Sequence, residues 1–176
     1  MRVIAALVPA LQPVVRNLLD FANGGGCGPG ITALIGRTLA SADEQAAIYA
    51  MGRTAPGRYL HRPGGVVCDE ATCVLCATGG LGHKVTQAPA GSSYHEYGRA
   101  CDFVLLEWGK VTKSTDETDD PAWQAFGRRV MEMAETVPGL CWGGNWSRQD
   151  GAHVELHPAG LGCRDAWRLG EKQATT

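Results

Sequence analysis

The stretch SSYHEYGRACDF, residues 92–103, sets His95 and Asp102 on either side of a glycine with six residues between them, and His153 follows fifty-one positions beyond the aspartate, in DGAHVEL. Two imidazoles and a carboxylate suit a catalytic zinc, which takes three protein ligands and keeps a fourth position for water. The charge of that set leaves the ion a good Lewis acid, able to bring the pKa of a bound water to roughly 7. Water activation also needs a proton acceptor. Asp150 stands three residues before His153 on the turn into a strand; Glu155 stands two residues after it, on the same strand face. Either could be the base, and Glu155 could instead orient an imidazole. A His-x6-Asp pair is also common as ordinary turn polarity, and His61 and His157 read as surface residues.

These side chains need elements to hold them. Leu11, Val14, Val15, Leu18, Leu19 and Ala22 recur at helical spacing, and ITALIGRT (31–38) reads as a short buried strand. Ser41 with Glu44 three positions later forms a reciprocal cap for a helix over roughly 42–51. Residues 52–84 dissolve into glycine, proline and cysteine and read as an irregular segment. ACDFVLL (100–106) is the next strand, and KVTKSTDETDD an exposed polar loop. Asp120-Pro121 starts a helix whose apolar side is Trp123, Phe126, Val130, Met133 and Val137, stopped by Pro138 and Gly139. CWGGNW reads as a turn and HVEL as the last strand. Helices and short strands without regular alternation predict an α+β domain with a small, mostly antiparallel sheet and flanking helices.

The 176 residues fit one domain, 1–176, carrying a cysteine-rich insertion at about 57–84. A net charge of -2 gives no reason to expect nucleic acid or an anionic membrane as partner. Arg2 and the apolar run after it are interrupted by Pro9 and Pro13 and read as a mature helix rather than an export signal. No run is long enough to span a bilayer. A soluble monomer made in the cytoplasm is the expectation. Seven cysteines, an odd set, argue against a fully paired disulfide framework, and reduced thiols are expected.

SSYHEYGRACDF resembles the S-x-H-x-x-G-x-A-x-D signature of the peptidase M15 family, at Ser93, His95, Gly98, Ala100 and Asp102. WGGNWSRQDGAHVE is similar to the W-G-G-x-W…D-x-x-H-x-E end of its L-alanyl-D-glutamate peptidase branch, which includes phage endolysins. GRTLASADEQAAIYAMGRTAPG resembles that branch's Arg-[Ser/Thr]…Gln…Tyr-Ala…Gly-Arg-Thr segment. The three motifs run in order over roughly residues 8–157, interrupted by 57–84. The resemblance implies a Hedgehog/DD-peptidase-like fold, zinc on His95, Asp102 and His153, Asp150 as catalytic base, and Arg37 stabilising the developing oxyanion. Ser93 would hold the turn or touch substrate, and Gly98 would serve the backbone. Trp142 and Trp146 could wall the cleft or pack the core. The aspartate at 150 favours the endopeptidase branch, since the dipeptidase and carboxypeptidase branches usually carry glutamate there.

The function this implies is hydrolysis of the stem peptides of bacterial peptidoglycan between L-alanine and D-glutamate, by an endolysin-like enzyme released to the wall after synthesis. The enzymatic alternative is a D,D-carboxypeptidase or D-alanyl-D-alanine dipeptidase; the alternative from another class is a zinc-binding module without turnover. Two departures accompany the resemblance. Cys101 and Cys141 replace an aliphatic and an aromatic residue, as small buried hydrophobes. CDEATCVLCATGGLGH offers Cys68, Cys73, Cys76 and His83 at a spacing that could close a second, structural zinc site.

Overall fold

A computed structural model describes residues 2–51, 53–54, 86–111, 119–158 and 161. The chain divides into two compact units, Met1–Ala40 with Tyr94–Thr176, and Ser41–Ser93.

The first unit is built on a five-stranded sheet. Its strands are β1 (Ile31–Arg37), β2 (Ala100–Glu107), β3 (Lys110–Val111), β4 (Leu140–Trp142) and β5 (His153–Leu156). The order is β1-β2-β5-β4 with β3 on β2, and every pairing is antiparallel. β2 is the spine. One of its edges carries β1, while the other is shared by β5 at residues 100–102 and β3 at 106–107. The β2–β3 turn is Trp108-Gly109, both at positive φ (51° and 77°), the conformation whose twist matches a two-residue hairpin.

Two helices, α1 (Gln12–Asn23) and, after α2 of the other unit, α3 (Pro121–Ala134), belong with this sheet. Pro13 and Pro121 sit in their first turns, where no N–H is missed, and the Asp120 carboxylate accepts from Ala122 N at 2.8 Å. The apolar stripe of α1 buries Val14, Val15, Leu18 and Ala22, and that of α3 buries Trp123, Phe126 and Val130. They join Ala33, Cys101, Phe103, Leu105, Val154 and Leu156 from alternate strand positions in one core. Phe126 is its centre, with ring centroids 4.9 Å from Phe103 and 5.7 Å from Trp123. Gly127 is glycine for a reason: a Cβ there would lie 2.3 Å from the Trp142 ring. Trp142 thus packs the core edge, its indole N–H donating to Gly151 O.

In the second unit, α2 (Ala42–Ala50) carries the Ser41–Glu44 capping box expected from sequence. Gln45, buried, donates to Ala88 O at 2.7 Å, and the Arg53 guanidinium donates to Tyr49 O and Thr86 O while lying 3.8 Å above the Tyr49 ring. These two residues of the upstream motif tie α2 to residues 86–88.

Helix α3 ends at Ala134, before the Val137 that its periodicity suggested, and CWGGNW holds the last two residues of β4 (Leu140–Trp142) followed by a 3-10 turn (Gly143–Asn145), not a turn throughout. Cys27 and Cys101 are free, whereas Cys141 is disulfide-bonded, which corrects the expectation of a reduced thiol there. Cys68, Cys73, Cys76 and His83 lie outside the described residues. Among the described residues, no helix is long and apolar enough to cross a membrane.

Candidate metal centre

Strand alternation places the chemistry. Residues of β2 and β5 that oppose each other share a face, so Asp102 opposite His153 and Ala100 opposite Glu155 stand on one side, while Cys101 opposite Val154 points to the helices. His95 comes from a 3-10 turn, Tyr94–Tyr97, immediately before β2. Gly98 links turn and strand at φ 63°, and a Cβ there would lie 2.6 Å from Ala6 O. Both facts demand glycine, the backbone role the motif implied.

The donors converge. One atom each from His95, Asp102 and His153 lies within 4.8 Å of the others. Asp102 Oδ1 is 3.1 Å from His95 Nε2 and 2.9 Å from His153 Nδ1. The far nitrogen of each ring is held as well. His95 Nδ1 is 2.8 Å from Thr38 O, and a carbonyl can only accept, so Nδ1 carries a proton and Nε2 is the nitrogen turned to Asp102, the one whose lone pair a bound cation would take. His153 Nε2 lies 3.0 Å from Glu155 Oε2, which leaves Nδ1 for the centre. Both imidazoles are buried, and the Asp102 side chain is 27% exposed, so the cluster reaches solvent through the carboxylate.

Burial alone would raise the Asp102 carboxyl, but the charge of His95 and the hydrogen bonds of both rings hold it well below the ordinary carboxylate range. Burial would lower His153, and its bonds to Asp102 and Glu155 raise it well above the ordinary value instead. Glu155, pushed up by burial, is brought down to about 2 by hydrogen bonds from His153 and His157. The proton between His153 and Asp102 occupies the direction from which a divalent cation would draw the same lone pairs. The donor set therefore fits zinc: two neutral nitrogens, one carboxylate oxygen, and outer acceptors that fix each ring.

The other sequence-identified residues fall as follows. Asp150 begins the turn into β5; its N donates to Gly143 O at 3.0 Å and its O accepts from His153 N at 3.1 Å, so its backbone is tied to that of His153. A Cβ on Gly143 would lie 2.5 Å from Asp150 O, so the turn closes only over glycine. Arg37 ends β1. A register shift between Ile35 and Arg37 sets it opposite Asp102, where regular pairing after Ile35–Phe103 would have placed Gly36. Re-registering a residue in this way is the usual work of a bulge beside a site. Ser93 is buried and is the last residue of the second unit. Trp146 lies with its ring centroid 5.0 Å from that of His153.

Two contributors escaped sequence reasoning. Thr38 acts through a main-chain oxygen, which leaves no trace in side-chain type. His157, read as a surface residue, is 2% exposed; it hydrogen-bonds Glu155 and stacks on Tyr94, with centroids 4.9 Å apart. The run His-Val-Glu-Leu-His, with polar groups at every second position, was the signal available.

A His-Asp-His cluster on the face of an antiparallel sheet, with both imidazoles buried, is a centre that could hold a divalent metal ion. A family model described as D-alanyl-D-alanine carboxypeptidase, of the M15 peptidases, matches residues 86–156, which include both histidines, Asp102 and Asp150. The chain is 29% identical over 150 residues to the peptidoglycan L-alanyl-D-glutamate endopeptidase CwlK of Bacillus subtilis (strain 168), covering 84% of this chain and 74% of the relative. A crystal structure of the Serratia marcescens L-Ala D-Glu endopeptidase ChiX aligns at 19% identity with a TM-score of 0.48, over 88% of this chain and 83% of that one. The ordered motifs and the family model make this part of the chain similar to the M15 peptidases, and the curated relative it resembles is a peptidoglycan endopeptidase.

Proposed function

We propose that the protein is a zinc-dependent endopeptidase that hydrolyses peptidoglycan stem peptides between L-alanine and D-glutamate, with His95, Asp102 and His153 as the metal ligands. The observation that carries this reading is the convergence of three donor atoms within 4.8 Å, with the outer nitrogen of each imidazole held by an acceptor. Zinc on these ligands would supply Lewis acidity toward the scissile carbonyl and acidity to water.

The chain's own groups do the rest. Asp150 takes a proton from the attacking water and returns it to the leaving amine, a role supported by the backbone bonds that fix it to the His153 turn. Arg37, set opposite Asp102 by the bulge, stabilises the negative charge that develops on the carbonyl oxygen. Trp146 stands beside His153 and forms a wall of the cleft. Ser93 holds the turn that delivers His95 or touches the substrate. All three ligands come from one chain, and the reading takes the enzyme to act as a monomer.

The description of the matching family model favours a second reading, removal of terminal D-alanine. Mass spectrometry of digested peptidoglycan separates the two: new peptides beginning with D-glutamate are expected, and release of D-alanine alone would overturn the endopeptidase reading. A second, structural zinc on Cys68, Cys73, Cys76 and His83 is an open question for the metal count. By elemental analysis, two equivalents in the wild type falling to one in Cys73→Ser establish that site; one in both removes it.

A further inference from the structure

Beyond the three donors, the same sheet face carries a second layer. Glu155 is 7% exposed, and its two carboxylate oxygens are divided between two rings, Oε2 toward His153 Nε2 and Oε1 toward His157 Nε2. The side chain of His157 is fully covered. Tyr94 stacks nearly parallel on it, at 11° between planes, and the Cys141 sulfur lies 3.8 Å from its Nδ1. Its main chain is fixed as well, the N–H donating to Gly139 O at 2.9 Å, where Gly139 at φ 86° leaves no room for a Cβ.

A carboxylate with one oxygen free could rotate about its terminal bond and let His153 turn. Here the second oxygen is anchored by a ring that is itself clamped by Tyr94 and the β4–β5 backbone. We propose that His157 is a positioning residue: through Glu155 it locks His153 with Nε2–H outward and Nδ1 toward the metal, so that metal affinity depends on a ring that never touches the metal. Tyr94 completes the clamp, and because it precedes His95 in the same 3-10 turn, the clamp joins the positions of both histidine ligands.

This inference rests on the ligand assignment proposed above, and the test keeps the two separable. Zinc affinity is measured by chelator competition on wild type, His153→Ala, His157→Phe and His157→Gln. The phenylalanine keeps the stacking ring but removes the donor; the glutamine restores an N–H toward Glu155. His157→Phe should bind zinc about tenfold or more weakly, His157→Gln should recover most of that loss, and the visible spectrum of the cobalt-substituted protein should change in the first and return in the second. Unchanged affinity and cobalt spectrum in His157→Phe would overturn the proposal, as would equal losses in both variants. Should His157→Phe not fold, nitrogen-15 NMR of the zinc-loaded wild type decides: Nδ1-bound His153 with a slowly exchanging Nε2 proton supports the lock, and Nε2 coordination refutes it. If His153→Ala binds zinc like the wild type, the ligand assignment itself has failed, which is a different result.

Discussion

The two faces of the central sheet are made by the same strands and obey different rules. On the helix side Cys101, Phe103, Leu105, Val154 and Leu156 meet α1 and α3, and nothing but volume and apolarity is asked of them. One residue along, Asp102, His153 and Glu155 face the other way, and each is defined by the partner its polar atoms reach. The core side can exchange one hydrophobe for another at modest cost. The site side cannot exchange oxygen for carbon, because every deletion leaves a buried imidazole or carboxylate without its partner. A period of two along the chain is enough to keep the two sets of demands from interfering.

The largest effect that tests this contrast is Asp102→Ala. Asp102 is the one group both imidazoles share, so its loss should abolish stoichiometric zinc binding and reduce peptidoglycan hydrolysis to background, while far-ultraviolet circular dichroism stays that of the folded protein. Retained metal with retained turnover would break the assignment. Asp150→Ala sharpens the division within the site side: one zinc is retained, and kcat falls by roughly 10²–10⁴, the usual worth of a general base. Metal loss in that variant would make Asp150 a ligand instead.

On the helix side, Phe126→Ala should cost about 3–5 kcal/mol in urea unfolding, since the ring is fully buried against Phe103 and Trp123. Below the unfolding transition the same variant should bind zinc as the wild type does. A large change in affinity there would mean that the two faces are coupled.

How legible each face was in the sequence follows from the same contrast. Helical periodicity exposed α1 and α3, the Ser41–Glu44 pair exposed the start of α2, and apolar runs exposed β1 and β2, because local spacing decides these elements. Spacing named His95, Asp102, Asp150 and His153 as chemistry-bearing residues and ordered motifs tied them together, but convergence in space is not contained in spacing. The bulge that sets Arg37 opposite Asp102 is a pairing decision between strands some sixty-five positions apart, with Gly36 as its one local trace. Thr38 works through its carbonyl, 57 residues from the ring it orients. Strand β4 is three residues long beside two glycines and owes its form to β5 rather than to propensity. His157 was misread because a histidine after a strand is usually exposed; only the pairing of β4 with β5 and the stacking of Tyr94 bury it.

The smallest expected effect lies with the thiols of the core. Cys27 and Cys101 are free and buried, and burial pushes the Cys27 thiol from 9.0 up to about 11 and that of Cys101 up further. A thiol whose folded value is raised stays protonated in the native state while the unfolded chain ionises. Stability from this source is therefore complete below about pH 9 and declines as the pH rises toward 11. Lysines and tyrosines titrate in the same window, so the informative quantity is a difference. Urea midpoints at pH 8, 9 and 10 should fall more steeply for the wild type than for Cys27→Ala, whose constant packing loss shifts all three points alike. Parallel slopes would mean that the Cys27 site admits water or a cation, and that this part of the helix-side core is less closed than its burial indicates.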